Sequence, residues 1–291
     1  DDRRLQIDVR SMRDDFFDRW AGASRSRPDT AAVPPCCWKR LEHILGSGIN
    51  NVTTLCGGQS GYLAARVVTP DARFAIKGVL LTVAAGRDIE RFAVEMAILR
   101  AGYGDEGIAQ FVGMASCHWL MLATRWIDGE HLNRLHAAEI IDECLQIVDR
   151  IGDLIEGEDI PTIESSLRRH YDESLRILDT LEPCDAAAAR TALTDDPVET
   201  RLIHGGLWPD NILVSRGRPI LLDWGSAGLA DPAWDRANAD LLRGQLSARR
   251  PVPPGGRGHL ALRSISAAKV LETNAIRRLE TTRSLMEAAS G

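Results

Sequence analysis

The residues best suited to chemistry form two short motifs at the two ends of a predicted β-hairpin. The first reads His204-Gly205-Gly206-Leu207-Trp208-Pro209-Asp210-Asn211, and the second reads Leu221-Leu222-Asp223-Trp224-Gly225. Asn211 precedes the hairpin and Asp223 ends it, so their side-chain oxygens can meet over a shared divalent cation. Amide and carboxylate oxygens are ligands that Mg²⁺ accepts while it keeps other positions for phosphates and water. Either residue taken singly is more typical of a turn cap, but the spaced pair behind His204 favours the cation.

The chain around this hairpin changes from a strand-rich to a helix-rich pattern. In the first half, strands are predicted at 50–56, 62–69, 73–79, 111–114 and 118–126, with one helix at 88–101. After residue 129 the apolar spacing is helical at 137–156, 163–181, 186–193 and 260–289, and helices also resume at 231 after the hairpin, whose turn is predicted at 216–219. A further amphipathic helix is predicted around 9–20, before a break at Pro34-Pro35. The pattern predicts an α+β protein with a strand-rich first lobe, a helix-rich second lobe and a ligand cleft.

Composition and charge exclude several classes of function. The 291 residues carry a net charge of −6, which argues against a general nucleic-acid binder. No apolar run approaches the ~20 residues of a membrane-spanning helix, so no membrane partner is expected. The segment 241–291 has nine Lys and Arg against three Asp and Glu, which predicts a solvated basic helical face. A docking surface for an acidic protein partner is the alternative for that segment.

The cysteines indicate a reducing environment. Six are scattered along the chain with no C-x-x-C pair, at positions 36, 37, 56, 117, 144 and 184. In a chain of this length, that pattern predicts neither a disulfide framework nor a zinc site. We therefore expect a cytoplasmic protein.

The two motifs resemble the catalytic loop and the metal-binding motif of the kinase superfamily. His-Gly and Asp-Trp-Gly look specifically like the aminoglycoside phosphotransferase and choline kinase branch, and Asp231-Pro232-Ala233-Trp234-Asp235 resembles the structural loop of that branch. Four upstream segments match the same superfamily in the right order. They are Gly57-Gly58-Gln59-Ser60-Gly61, Phe74-Ala75-Ile76-Lys77, Glu95-Met96-Ala97-Ile98-Leu99 and Thr124-Arg125-Trp126-Ile127-Asp128-Gly129-Glu130.

This resemblance implies a bilobal protein-kinase-like fold that binds ATP (or GTP) and Mg²⁺ between its lobes. Lys77 would contact the nucleotide phosphates, Glu95 would orient Lys77, Asn211 and Asp223 would hold the metal, and His204 would be a scaffold of the loop. The remaining nucleotide contacts would come from Gly57, Gly58, Ser60 and Gly61 and from the hinge residues Thr124, Trp126 and Ile127. The expected organisation is a helical extension over 1–45, a nucleotide-binding N-lobe over 46–127 and a helical C-lobe over 128–291.

One position departs from the family pattern. The residue two after the His is an Asp that accepts the substrate's hydroxyl proton in the family, and here it is Gly206. Asp210 is the nearest spare carboxylate and a weak candidate for that base. We favour a slow or atypical phosphotransferase acting on a hydroxyl of a small molecule, because positioning and metal electrostatics supply most of the acceleration in phosphoryl transfer. A cationic acceptor is one option for that molecule. The alternative is a nucleotide-binding pseudokinase that acts as a regulatory or partner-binding module.

Overall fold

The computed structural model describes residues 28–55, 62–82, 84, 86–132, 137–155, 160–163 and 200–243. Several predicted elements lie outside the described residues. They are the helix around 9–20, the glycine-rich turn with Gly57, Gly58, Ser60 and Gly61, nearly all of the helix at 163–181, the helix at 186–193 and the helix at 260–289.

An antiparallel sheet of five strands forms the first half of the described chain. Its strands are β1 (Asn51–Thr54), β2 (Leu63–Val68), β3 (Arg73–Leu80), β4 (Phe111–Ser116) and β5 (Trp119–Arg125), arranged in the order β1-β2-β3-β5-β4. Buried and half-buried residues alternate along β2, as the period of two along a strand requires. The sequence prediction of an α+β protein with a strand-rich first lobe is confirmed.

One face of the sheet is covered by helix α1 (Pro35–Leu45), which the sequence analysis did not identify. We interpreted Pro34-Pro35 as a break, whereas Pro34 is the N-cap and Pro35 is the first helical residue. Proline is well suited to that position, because its missing N–H would have no partner within the helix and its φ already fits. Gly46 ends the helix in the left-handed conformation that favours glycine at this point.

The expectation that the cysteines form no disulfide is wrong. Cys37 on α1 is bonded to Cys117 in the turn between β4 and β5. The two residues are 80 positions apart in sequence, so spacing gave no sign of the pairing, but burial of α1 on the sheet brings their Cα atoms within 5.9 Å. The cytoplasmic location inferred from the cysteine pattern stays a prediction.

The opposite face of the sheet packs against helix α2 (Gly86–Ala101) and joins the core of the second half. That half contains α3 (Ala137–Leu154) and α4 (Ala233–Arg243), which pack together. Its short strands are β6 (Glu130–His131), β7 (Arg201–Ile203), β8 (Ile212–Ser215), β9 (Arg218–Leu221) and β10 (Gly228–Ala230). Strands β7 and β10 form one ribbon, and β6, β8 and β9 form a three-stranded sheet in that order. None of the helices in the described part of the chain combines the length and apolar character that a bilayer crossing needs.

The turn of the β8–β9 hairpin is shorter than the sequence indicated. We predicted a turn over 216–219, but Ser215 pairs with Arg218 and Val214 pairs with Pro219. Only Arg216 and Gly217 form the turn, and both have positive φ, as tight two-residue hairpins require. Strand β9 is at the edge of its sheet, where a proline can be tolerated.

Candidate active site

Lys77 is the central charged group of the candidate site. It lies on β3, the middle strand of the five-stranded sheet, where it pairs with Ala64 and Leu122. Its Nζ is 2.6 Å from Oε2 of Glu95 on α2 and 2.5 Å from Oδ1 of Asp223, two residues after β9. One ammonium group therefore connects the sheet, the helix and the hairpin.

Burial and charge together set the protonation of this cluster. The side chains of Lys77 and Glu95 are 19% and 7% exposed, whereas that of Asp223 is 42% exposed. Burial by itself would lower the pKa of Lys77, but the adjacent carboxylates of Asp223 and Glu95 hold that pKa well above its ordinary value. Burial raises the pKa of Glu95 in spite of Lys77, and Lys77 outweighs burial to keep the pKa of Asp223 below its usual range.

Two aromatic rings flank the Lys77 ammonium, and the sequence analysis did not assign them to the site. Nζ lies 5.4 Å from the ring centroid of Tyr62 and 5.6 Å from that of Phe92. The Tyr62 hydroxyl donates a hydrogen bond to Oδ1 of Asp88 at 2.5 Å. Tyr62 directly follows the glycine-rich turn in sequence, and this adjacency was the signal that could have identified it.

The loop that carries His204 is held by a buried carboxylate. Oδ2 of Asp235 accepts a hydrogen bond from the His204 N–H at 2.5 Å, and Oδ1 accepts one from the Gly205 N–H at 3.1 Å. Gly205 has φ +70°, and a Cβ atom there would lie 2.3 Å from the carbonyl oxygen of Ser226. The first glycine after His204 is therefore required by the backbone, and Asp235 of the Asp-Pro-Ala-Trp-Asp motif fixes the loop.

His204 is a buried, neutral imidazole. Its side chain is 0% exposed, and its ring lies 4.5 Å from the ring of Trp224. Burial lowers the pKa of His204 to about 4. Nε2 is 3.0 Å from the carbonyl oxygen of Leu222, which can only accept, so the proton of the neutral ring is on Nε2. This residue is placed to hold the loop against the hairpin.

Asn211 and Asp223 stand at the same end of the β8–β9 ribbon. The Leu222 N–H donates to the carbonyl oxygen of Asn211 at 2.8 Å, which brings the two flanking positions together. The Asn211 amide nitrogen Nδ2 donates to the carbonyl oxygen of Gly206 at 2.9 Å, so Oδ1 is the atom that can contact a cation. Asp223 has φ +58°, an uncommon value for a residue other than glycine and one that is frequent at functional sites.

The remaining predicted residues occupy two other places. Thr124 lies on β5, and Ile127 packs against the core. The backbone N–H of Trp126 donates to the carbonyl oxygen of Arg73 at 3.0 Å. Asp210 lies in the 3₁₀ turn Pro209–Asn211, directly before Asn211. Their roles as hinge residues and as a substitute base stay predictions, as do those of the glycine-rich turn outside the described residues.

Comparison with known proteins gives the family of the chain. Residues 77–249, more than half of the sequence, match the model of the family described as "Phosphotransferase enzyme family". No curated protein matches the chain in sequence.

The chain is also similar to several solved structures. One, described as an aminoglycoside phosphotransferase from Ralstonia eutropha JMP134, is 18% identical, with 81% of this chain and 79% of that chain covered and a TM-score of 0.47. A spectinomycin phosphotransferase in complex with ADP and spectinomycin is 12% identical, with coverages of 84% and 88% and a TM-score of 0.49. A choline/ethanolamine kinase family protein from Mesorhizobium loti is 16% identical, with coverages of 83% and 81% and a TM-score of 0.47.

Proposed function

The chain belongs to the phosphotransferase enzyme family, and we propose that it binds ATP or GTP with Mg²⁺ and transfers the terminal phosphoryl group to a hydroxyl of a small molecule. The observation that carries this proposal is the Lys77 ammonium held between Glu95 and Asp223. Phosphoryl transfer depends mainly on positioning and on neutralising phosphate charge, and a fixed ammonium beside a metal-binding carboxylate supplies both.

The net charge of the Lys77, Glu95 and Asp223 side chains favours the binding of a cation. One ammonium and two carboxylates sum to −1, and Asp223 is the most exposed of the three groups. Asp223 would hold a Mg²⁺ ion bound together with the nucleotide, and Lys77, kept in place by Glu95, would contact phosphate oxygens.

The donor set fits Mg²⁺. Asn211 offers an amide oxygen and Asp223 a carboxylate oxygen, and oxygen donors are what Mg²⁺ selects. The described parts of the chain contain no group of at least three His, Cys, Asp or Glu side chains that could hold a metal ion. We therefore assign the remaining ligand positions to the phosphates and to water. The ion would neutralise charge on the transferring phosphoryl group.

The absence of a carboxylate at position 206 makes slow turnover the expected behaviour. General-base catalysis contributes typically 10²–10⁴-fold, and this factor is lost without a positioned base. His204 is a poor substitute for the missing base, because burial lowers the pKa of His204 to about 4. Asp210 is the other candidate, and its position directly before Asn211 equally suits a contact with the acceptor.

The same absence favours a second candidate function. A chain that retains Lys77, Glu95, Asn211 and Asp223 but has Gly206 could bind nucleotide without transferring phosphate. It would then act as a regulatory module through its conformation or through a protein partner.

For an active enzyme we propose a cationic acceptor such as an amino alcohol or an amino sugar, since residues 1–240 carry a net charge of −12, from 26 Lys and Arg against 38 Asp and Glu.

The decisive experiment measures binding and turnover separately. MgATP and MgGTP are titrated calorimetrically into the purified chain, and nucleotide consumption is then followed with a panel of amino alcohols and amino sugars. The proposal requires nucleotide binding together with acceptor-dependent consumption that is lost in Asp223→Ala. Binding without acceptor-dependent consumption supports the regulatory module, and no binding of either nucleotide contradicts both.

A variant at the departing position tests the reason for slow turnover. Gly206→Asp should raise turnover, because a Cβ atom there meets no atom closer than 3.4 Å and the backbone needs no positive φ. A folded variant that shows no gain would mean that another group already accepts the proton.

A further inference from the structure

The face of the five-stranded sheet that carries Lys77 has a second row of side chains beside it. This second row consists of Arg66 on β2, Ala75 on β3 and Thr124 on β5, which are partners in register. Ala75 precedes Lys77 by two positions, so the row lies on the same face, about 7 Å further along the strand. The second row contains one charged residue, Arg66.

A nucleotide whose phosphates contact Lys77 can extend along this face in one direction. On one side of Lys77 the face is closed, because Val79 and its partner Leu120 are buried in the core. On the other side all three residues of the second row are half-buried. The base of a nucleotide held at Lys77 therefore lies at the second row.

The guanidinium group of Arg66 is stacked on an aromatic ring. Its Cζ lies 5.7 Å from the centroid of the Trp126 ring. Nε is the only nitrogen of this group that is buried without a hydrogen-bond partner in the described parts of the chain. Because Nε is enclosed, Nη1 and Nη2 at the outer end are the nitrogens that can reach a ligand. They are donors only, since arginine has no acceptor.

The carboxylate closest in charge to this pair is bonded to other groups. Nη1 and Nη2 of Arg73 donate to the two oxygens of Asp128 at 3.0 and 2.5 Å, and Nε1 of Trp126 donates to Oδ1 at 3.1 Å. These hydrogen bonds lower the pKa of Asp128, to which Arg66 adds only its charge. The Trp126 ring is thus held by Asp128, and Arg66 stacks on a fixed surface.

The chemistry of an arginine fork distinguishes the two purine bases. Guanine presents two acceptors, O6 and N7, on one edge, whereas adenine presents the acceptor N7 and the amino donor N6 at the same places. Two N–H groups of an arginine match the guanine edge, and one of them would oppose the amino group of adenine.

We propose that Arg66 is a specificity-determining residue of the nucleotide site, whose Nη1 and Nη2 groups donate to O6 and N7 of guanine. The chain then uses GTP in preference to ATP. This inference rests on the proposed function, because it requires a nucleotide with its phosphates at Lys77, and it deepens that function by selecting one of two nucleotides. If Arg66 only stacked on Trp126, the identity of the base would not matter.

Four nucleotides separate the contributions of the base edge. MgITP keeps O6 and N7 but lacks the 2-amino group of MgGTP, the magnesium complex of 7-deaza-GTP lacks N7, and MgATP has an amino group in place of O6. The Kd of each is measured by calorimetry with the unsubstituted full chain. MgGTP and MgITP should bind about 10–100-fold more tightly than MgATP, with 7-deaza-GTP between them.

Two substitutions assign the preference to Arg66. Arg66→Gln should reverse it, because a glutamine amide pairs with N6 and N7 of adenine. Arg66→Met should abolish the difference between MgGTP and MgATP. The matched control is Arg100→Gln, which removes the same kind of side chain from the exposed end of α2 and should keep the preference for MgGTP.

The outcomes distinguish this inference from the function on which it rests. If MgATP binds the unsubstituted protein as tightly as MgGTP, the inference is overturned while the proposed function stands, and this comparison needs no variant to fold. MgITP that binds as weakly as MgATP overturns it too, because the 2-amino group would then be the feature recognised. A preference for MgGTP that persists in Arg66→Met overturns the assignment to Arg66. No binding of any of the four contradicts the proposed function and the inference with it.

Discussion

Lys77 and Asp223 are 146 residues apart in sequence, yet Nζ of Lys77 lies 2.5 Å from Oδ1 of Asp223. The contact joins the central strand of the antiparallel sheet to the residue that follows the β8–β9 hairpin. Glu95 contacts the same ammonium group, so two carboxylates share one ammonium in a partly buried setting. A net negative charge in such a place is stabilised by an added cation, which is why the cluster is suited to a metal–nucleotide complex.

Replacement of Lys77 should lower the free energy of unfolding of the nucleotide-free protein and should weaken nucleotide binding. Lys77→Met keeps the length of the side chain but leaves Glu95 and Asp223 as unpaired carboxylates. Loss of one partner of a buried ion pair costs about 3 kcal/mol of unfolding free energy, measured by urea denaturation. Calorimetry should show a nucleotide affinity reduced about 10–100-fold, the effect of a lost hydrogen bond to a charged group.

The matched control for this substitution is Lys39→Met, which removes the same charge from an exposed position on α1. It should change neither quantity. An unchanged nucleotide affinity in Lys77→Met would contradict the phosphate assignment.

Asp223→Asn should affect binding only when Mg²⁺ is present. The amide keeps the size of the side chain but removes the charge that would hold the cation. We expect the affinity for MgATP to fall about tenfold or more, while the affinity for ATP in EDTA is unchanged or higher, because a negative charge near the phosphates is gone. The control is Asp71→Asn in the exposed β2–β3 turn. Equal losses with and without Mg²⁺ would show that Asp223 does not act through a metal.

Sequence patterns predicted the parts of this site that depend on local chemistry. Apolar periodicity within single segments indicates three elements of the site: the strand with Lys77, the helix with Glu95, and the hairpin between Asn211 and Asp223. Contacts between distant segments leave no such local pattern. The Cys37–Cys117 bond and the hold of Asp235 on the His204 loop depend on packing across 80 and 31 residues. Helix α1 was missed because Pro34-Pro35 is compatible with both a break and a helix start.

The two glycines after His204 should respond differently to alanine. Gly205→Ala forces a left-handed φ on a residue with a Cβ and places that atom 2.3 Å from the Ser226 carbonyl oxygen. We expect a loss of about 1–3 kcal/mol in unfolding free energy. Gly206→Ala meets no such contact and should be tolerated. Thermal denaturation of the two variants side by side is the measurement, and equal melting temperatures would contradict the geometry of the loop.

The Cys37–Cys117 disulfide should stabilise the sheet domain. It closes a loop of 80 residues, for which chain entropy gives a stabilisation of about 4 kcal/mol. Reduction with dithiothreitol, or Cys37→Ala, should therefore lower the denaturation midpoint. Cys36→Ala is the matched control, because Cys36 is its neighbour on α1 and is an exposed free thiol. A midpoint that dithiothreitol leaves unchanged would show that the bond is absent or makes no net contribution.

Acid should destabilise the protein through His204. Burial lowers the pKa of His204 to about 4 in the folded state, against about 6.5 when the chain is unfolded. Between these values the unfolded chain binds a proton that the folded chain excludes, so the unfolding free energy falls as pH decreases from about 6.5 towards 4. Between pH 7 and pH 5 this single group should cost about 2 kcal/mol. Urea denaturation of His204→Gln should show a correspondingly smaller loss over this interval. His118→Gln, in the exposed turn between β4 and β5, should retain the full loss. If His204→Gln and the unsubstituted protein lose stability equally, His204 is not a buried neutral imidazole.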